Sequence, residues 1–242
     1  MATSTAFNDT YVHTATINGL KPNTEYIYRI KNENAVSDDY SFKTDKADSF
    51  NFIYLADPQI GASGDASVDA KNWNTAGDTA TTMFPSANML LSAGDQVDWP
   101  DSTADQFGKF FAPQQLKGMA LAAVVGNHET YGEKNYFHYN HPNDAINGVQ
   151  YGKTRGGSDY WYTYNNVLFI HINGNNASSA EHKYVIKTAV EQNPNTTWRV
   201  VVTHQSIFSG TATYLKNDVV GLRESMAPIY TEYDIDAVLS GH

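Results

Sequence analysis

The sequence contains no cysteine. This absence excludes disulfide bonds, thiolate metal sites and cysteine nucleophiles, so a transition metal would have to be held by histidine, carboxylate or amide side chains. Basic residues are also few, because 16 Lys and Arg stand against 26 Asp and Glu and the formal net charge is −10. We therefore predict no nucleic-acid partner and no attraction to an anionic membrane surface.

Long apolar segments and targeting signals are missing as well. No apolar run approaches the roughly 18 residues that a membrane span needs, so no membrane insertion is expected. No signal-peptide pattern opens the sequence. The composition combines few lysines with 16 tyrosines, which favours an extracellular or cell-surface protein. Oligomeric state has no sequence signal here.

The first 46 residues have the pattern of short β-strands. Residues 11–17 alternate apolar and polar side chains, and residues 40–44 predict another strand. The spacing Leu20-x-Pro22-x-Thr24-x-Tyr26-x-Tyr28 resembles the corner and following strand of a fibronectin type III domain. A whole domain of that kind has about seven strands in roughly 100 residues. We therefore predict a partial fibronectin-like domain at 1–46, or alternatively an isolated β-meander packed on the domain that follows.

Residues 50–242 predict a second, α/β (α+β) domain. Five short apolar runs are typical of buried strands: residues 50–56, 89–93, 120–125, 198–203 and 237–240. Four segments between them predict helices: residues 68–83, 103–111, 179–192 and 219–233. Residues 160–164 and 167–172 predict a hairpin with Asn165 and Asn166 at its turn.

Each apolar run is followed by side chains that can bind a metal. In chain order these are Asp57 and Gln59, Asp95 and Asp98, Asn127 and His128, His204, and His242. Because ligands of open sheets collect beyond the carboxyl ends of strands, five such ends can place these groups in one cleft. Phosphate-ester hydrolysis uses this chemistry, since two metal ions about 3.5–4 Å apart neutralise phosphoryl oxygens and form hydroxide near neutral pH.

The motif order D-x-Q, G-D-x-x-D, G-N-H-E, H and G-H resembles that of the calcineurin-like metallophosphoesterases. With the fibronectin-like segment, the sequence is most similar to the purple-acid-phosphatase-like subgroup. The resemblance covers residues 50–242 and implies a β-sandwich flanked by helices. It also implies two divalent or trivalent ions of Fe, Mn or Zn, and a small phosphate monoester as substrate. Hydroxide formed at the metals would attack phosphorus directly.

The resemblance implies a role for each matching residue. Asp95 would bridge both metals, and Asp57 with Gln59 would bind the first. Asn127, His204 and His242 would bind the second. In the substrate pocket His128 would assist the leaving group beside Asn127, and Asp98 would orient its imidazole.

Two departures from the family pattern concern the first metal. Gln59 stands where histidine is usual, and a neutral amide is a poorer ligand for a transition metal. The pattern G-H-x-H continues beyond His242, the last residue of this sequence, and its second histidine binds the first metal. We therefore expect an incomplete fold at the C-terminus and a weak or empty first site.

Other polar residues have weaker signals. The long segment 131–158 is rich in Gly, Asn and His, and such loops often line a site. His138, His141 and Arg155 within it are candidates for substrate contacts, and the planar guanidinium of Arg155 suits a phosphate. His171 is expected in the core, and His182 at the surface.

Two other functions fit the same motifs. The first is a phosphodiesterase or nucleotidase with the same metal centre, since pocket loops decide between these substrates. The second is a non-catalytic cell-surface binding module with a degenerate site. Intact Asp95, Asn127, His128 and His204 argue against this second alternative.

Overall fold

The computed structural model describes residues 2–7, 10–132, 159–210 and 212–242. The N-terminal segment is β-structure, as predicted. Strands β1 (Thr3–Phe7) and β2 (Thr10–Thr14) form one antiparallel pair, and β3 (Glu25–Tyr28) and β4 (Tyr40–Lys43) form another.

Hydrogen bonds join this segment to the rest of the molecule. The Tyr28 hydroxyl donates to the Lys117 carbonyl at 2.9 Å. The Asp45 carboxylate accepts from Asn88 Nδ2 at 2.8 Å and from the Tyr164 hydroxyl at 2.6 Å. These bonds hold the end of the segment against two different sheets.

The first large sheet is parallel, with strands in the order β5, β6, β7. They span Asn51–Leu55, Ala87–Ser92 and Ala120–Ala123. Helices α1 (Ala66–Met83), α2 (Gln106–Phe111) and α3 (Gln115–Gly118) accompany it. Helix α1 begins after Asp65, whose carboxylate accepts the Ser67 N–H at 2.9 Å and so satisfies a free amide of the first turn.

The second large sheet has the order β11, β10, β9, β8. Strands β8 (Tyr160–Tyr164) and β9 (Val167–Ile172) form the predicted hairpin, whereas β10 (Trp198–Thr203) and β11 (Ala237–Ser240) add in parallel. Helices α4 (Ser179–Gln192) and α5 (Asn217–Glu232) lie on its outer face. No helix within the described ranges is long and apolar enough to cross a membrane.

The core has three main clusters of buried residues, because successive side chains of a strand point to opposite faces of its sheet. In β9, Leu168 and Ile170 pack with helices α4 and α5, whereas Phe169 between them packs with β6 and β7 of the other sheet. On the outer face of the first sheet, Ile53 packs in one cluster with Trp73 of α1. The fold is therefore a β-sandwich with helices on both sides, which confirms the predicted fold class.

Three helix starts differ from the prediction, and that of helix α5 is at Asn217 rather than at 219. Helix α2 begins at Gln106 rather than at 103, because Asp105 before it has a left-handed φ of 48° and caps the helix through Gly108 N. Helix α1 begins at Ala66 rather than at 68, because Asp65 provides its cap. His171 is buried between the sheets and stacks on Tyr160 with ring centroids 4.2 Å apart, in agreement with a core position.

Candidate metal centre

The loops after β5 and β6 run side by side at one edge of the sandwich. The Asp57 N–H donates to the Gly94 carbonyl at 3.1 Å, and the Gln59 N–H donates to the Asp95 carbonyl at 2.9 Å. Asp57, Gln59 and Asp95 have left-handed φ values of 55°, 37° and 51°. Each such residue costs on the order of 1–3 kcal/mol and persists only where surrounding contacts fix it.

Two glycines permit the close approach of these loops. A Cβ on Gly94, whose φ is +92°, would lie 2.4 Å from His204 Nδ1. A Cβ on Gly126 would lie 2.1 Å from Asp95 Oδ1. Since both distances are far below van der Waals contact, larger residues would displace His204 or Asp95 from the site.

Glu129 joins the loop after β7 to the loop after β6 through hydrogen bonds. Its buried carboxylate accepts the N–H groups of Asp95, Val97 and Gly126 at 2.9, 3.2 and 2.7 Å. Burial, together with the charge of Asp95, raises the pKa of Glu129 to about 7. Its contacts are those of a residue that positions the loops from behind.

Four side chains converge on one point at this edge. His204 Nε2 lies 3.2 Å from Asp95 Oδ2, 3.1 Å from Asn127 Oδ1 and 3.1 Å from His242 Nδ1. Ligand atoms of Asp95, His204 and His242 all lie within 4.8 Å of one another. The structure thus brings together the carboxylate predicted to bridge the metals and the three residues predicted to bind the second metal.

The groups around His204 fit a cation at this cluster. His204 Nδ1 lies 2.7 Å from the Ala93 carbonyl, which accepts the Nδ1 proton, so loss of the other ring proton would present the Nε2 lone pair to the cluster. In that form Nε2 lies beside the Asp95 carboxylate and the Asn127 amide oxygen, and the three groups make a donor set for a cation. A metal ion satisfies all of these atoms, and a backbone carbonyl that fixes the ligating tautomer is a common feature of metal sites.

The charges of the cluster shift its pKa values. Burial lowers the pKa of His204, but the hydrogen bond and charge of Asp95 outweigh it, so that pKa lies above its ordinary value. Burial would raise the pKa of Asp95, yet the contacts with His204 and His128 leave it below its ordinary value. Burial raises the pKa of Asp57, whose Oδ2 accepts the His242 N–H at 2.9 Å.

His128 lies beside this cluster. Its Nδ1 is 3.1 Å from Asp98 Oδ1 and 3.1 Å from the Asp98 carbonyl, so two acceptors from one residue fix the ring. Its Nε2 lies 3.9 Å from Asp95 Oδ2 and 2.8 Å from Gln59 Nε2. The Gln59 amide therefore contacts His128 in this structure. Arg155, His138 and His141 lie outside the described residues.

Several supporting groups have no obvious sequence signal. Asn175 Nδ2 donates to the Gly126 carbonyl at 3.1 Å, and Gln205 Nε2 donates to Asn175 Oδ1 at 2.8 Å. The prediction for His182 was wrong, because its side chain is buried 2.6 Å from Asp159 Oδ2. A signal was present in α4, where His182 shares the i, i+3, i+4, i+7 stripe of Val185, Ile186 and Ala189.

Comparison with known proteins agrees with this geometry. The calcineurin-like phosphoesterase family matches residues 50–242. The chain belongs to this family. The purple acid phosphatase N-terminal domain matches residues 1–44, and the family resemblance read from the motifs is thereby confirmed. This phosphoesterase matches no curated protein sequence.

A solved structure gives the same fold for the phosphoesterase. The chain is similar to the purple acid phosphatase PPD1 from yellow lupin (Lupinus luteus) seeds, with a TM-score of 0.70 and 15% sequence identity. The match covers 100% of this chain and 50% of the lupin chain, so the phosphoesterase spans about half the length of that protein. At this identity the likeness concerns the fold.

Proposed function

We propose that this chain hydrolyses small phosphate monoesters at a metal centre. The observation that carries the proposal is the convergence of Asp95, Asn127 and His242 on His204 Nε2, at 3.2, 3.1 and 3.1 Å. Because the Ala93 carbonyl accepts the Nδ1 proton, Nε2 is the ring nitrogen that can bind a cation together with these atoms. Membership of a phosphoesterase family supports the same reading.

The proposed cofactor is a pair of divalent or trivalent ions of Fe, Mn or Zn. Asn127, His204 and His242 would hold one ion together with Asp95, and Asp57 with Asp95 would hold the other. When bound, the metals supply charge neutralisation for the phosphoryl oxygens and an acidified water. The predicted role of Gln59 as a ligand requires its amide to turn away from His128, which it contacts at 2.8 Å.

His128 is the proposed proton donor for the leaving group. Asp98 accepts from its Nδ1 and so aligns the imidazole. The opposite atom, Nε2, is 3.9 Å from Asp95 Oδ2 and therefore borders the place where a phosphoryl group would lie. Transfer of the Nε2 proton to the departing oxygen would release a neutral alcohol.

We also propose substrate contacts, domain roles and a location for the chain. Arg155, His138 and His141 remain candidates for substrate contacts, together with Asn127 at the metal. The N-terminal segment is proposed as part of a fibronectin type III-like domain, and residues 50–242 as the catalytic domain. An extracellular or cell-surface location is proposed from composition.

The test uses the chain loaded with Mn²⁺, Fe²⁺ or Zn²⁺ in turn and 4-nitrophenyl phosphate as substrate. His128→Ala should lower kcat by roughly 10²–10⁴-fold, the usual contribution of a positioned general acid. His13→Ala is the matched control, because His13 is exposed on β2 and far along the chain from these motifs. Wild-type turnover by His128→Ala would contradict the assigned role.

The same assay separates the ester classes. We expect a higher kcat/KM for the monoester than for bis(4-nitrophenyl) phosphate. Equal or faster turnover of the diester would overturn the monoesterase proposal and favour a diesterase with the same centre.

A further inference from the structure

An exposed aromatic pair lies beside the imidazole that is proposed to assist the leaving group. Trp99 and Tyr131 are 50% and 49% exposed, and their ring centroids are 6.0 Å apart with planes tilted by 40°. Tyr131 contacts His128 in a T-shaped arrangement with centroids 5.0 Å apart. The pair therefore borders the candidate centre.

Both rings are placed by the segments that place His128. Trp99 directly follows Asp98, whose carboxylate and carbonyl oxygens each lie 3.1 Å from His128 Nδ1. The Trp99 N–H donates to Gln106 Oε1 at 2.7 Å, which fixes the backbone at this point. Tyr131 ends the 3₁₀-helix that His128 begins, and side chains three residues apart eclipse in such a helix. The relation of both rings to the imidazole is thus built into the backbone.

Exposure alone would carry no inference. Trp198 and Phe208 are also exposed, at 55% and 64%, and scattered surface aromatics are normal in folded proteins. Trp99 and Tyr131 differ because they contact each other and because one of them contacts His128. A group that takes a proton from His128 would therefore lie near Tyr131, which contacts Trp99 in turn.

We infer that Trp99 and Tyr131 form a leaving-group subsite that selects phosphate monoesters whose leaving group carries a flat aromatic ring. The inference rests on the proposed function, which places the phosphoryl group at Asp95 and the departing oxygen at His128. The leaving group then extends over the exposed ring faces. Aromatic side chains stack with aryl rings and with nucleobases alike, because each presents a π-face.

The experiment compares substrates with and without the ring. One arm uses AMP against ribose 5-phosphate, and the other uses 1-naphthyl phosphate against ethyl phosphate. Trp99→Ala and Tyr131→Ala should each lower kcat/KM about tenfold for the ring-bearing substrate, within the range for loss of one stacking partner. The ringless substrates should be hydrolysed as by the unmodified chain.

Two further variants serve as controls. Tyr131→Phe keeps the ring and should keep the selectivity, which separates stacking from hydroxyl chemistry. Trp198→Ala removes an equally exposed tryptophan at the first residue of β10, the opposite end of the strand from His204, and should change neither ratio. A loss confined to AMP identifies nucleotides as the ring source, and a loss confined to the naphthyl ester identifies aryl phosphates. Unchanged ratios, or equal losses on ring-bearing and ringless substrates, would overturn the inference.

A binding measurement separates this inference from the proposed function. Isothermal titration calorimetry of the metal-loaded chain would compare 1-naphthylmethylphosphonate with ethylphosphonate, neither of which can be hydrolysed as a monoester. We expect tighter binding of the aromatic phosphonate and loss of this preference in Trp99→Ala. Absence of turnover on every ester would reject the proposed function alone, whereas equal affinities for the two phosphonates would reject the subsite alone.

Discussion

Two buried histidine–aspartate pairs in the sandwich differ in what surrounds the histidine. His182 Nδ1 lies 2.6 Å from Asp159 Oδ2, and its Nε2 lies 2.9 Å from the Asn176 carbonyl. His204 Nε2 lies 3.2 Å from Asp95 Oδ2, and its Nδ1 lies 2.7 Å from the Ala93 carbonyl. Neither histidine side chain is exposed.

The difference is the number of groups that face each ring nitrogen. His182 has one for each ring nitrogen, so its protonated ring and Asp159 satisfy each other without a further ligand. At His204, by contrast, Asn127 and His242 converge on the nitrogen that already faces Asp95. Several metal-binding side chains around one nitrogen of a buried histidine thus indicate a cation site, whereas one partner for each ring nitrogen indicates a structural ion pair.

We expect the greatest loss of stability when the pair of His182 and Asp159 is broken. Asp159→Ala removes the partner of His182 and also an acceptor of the Asn173 N–H, which lies 2.8 Å from Asp159 Oδ1. Breaking a buried pair in this way should lower the free energy of unfolding by about 3–5 kcal/mol. Urea unfolding followed by circular dichroism measures it, and a loss below about 1 kcal/mol would show that the pair is not structural.

The second prediction concerns metal binding at the pair of His204 and Asp95. Asp95→Asn should weaken metal binding at least about 100-fold, because loss of an outer-shell partner alone often costs 10–100-fold in affinity. Zinc titration in a competing chelator measures the affinity. Asp159→Asn is the matched control and should bind zinc like the unmodified chain. Equal affinities for Asp95→Asn and the unmodified chain would remove the distinction between the pairs.

The third prediction is that the stabilisation of the fold by His182 and Asp159 depends on pH. Burial lowers the pKa of His182, but the hydrogen bond and charge of Asp159 outweigh it, so the folded pKa is above the ordinary value. The stabilisation is therefore complete below pH of about 6.5 and is lost as the pH rises through the folded pKa, by at most about 1.4 kcal/mol per pH unit.

Urea midpoints of the unmodified chain and Asp159→Ala between pH 6 and pH 9 test this sign. The stability difference between them should shrink as the pH rises. A difference that grows over the same interval would mean that the pair is not held by a protonated His182.

The smallest expected effect concerns an ion pair of the same length at the surface. Lys183 Nζ lies 2.6 Å from Glu232 Oε2, but the two side chains are 44% and 49% exposed. Glu232→Ala should lower the free energy of unfolding far less than Asp159→Ala does, since water and salt screen such pairs. A loss as large as that of Asp159→Ala would show that burial does not separate the two pairs.

Local patterns were enough for much of the fold and for the members of the cluster. The bounds of α4 and of the hairpin strands β8 and β9 agree with the prediction, because apolar periodicity and turn residues are local signals. The positions of Asp95 and His204 after apolar runs placed both at strand ends, but their strands β6 and β10 lie in different sheets, so their meeting depends on how the two sheets pack.

Contacts between distant segments could not be read in the same way. Asp159 is 23 residues from His182 in the chain, so no local pattern joins them. The Ala93 carbonyl that fixes the tautomer of His204 is a backbone group, which composition does not reveal. The contact between Gln59 and His128 depends on two left-handed turns, at Asp57 and at Gln59 itself, whose effect on side-chain direction appears only in three dimensions.

Anomalous diffraction from crystals grown with Mn²⁺ or Zn²⁺ would show whether the cluster around His204 binds metal and the His182–Asp159 pair does not. We expect a peak about 2 Å from His204 Nε2 and from the Asp95 carboxylate, with Asn127 and His242 in contact, and no peak at Asp159 and His182. A metal-soaked crystal without density beside His204, or with density beside His182 instead, would contradict it.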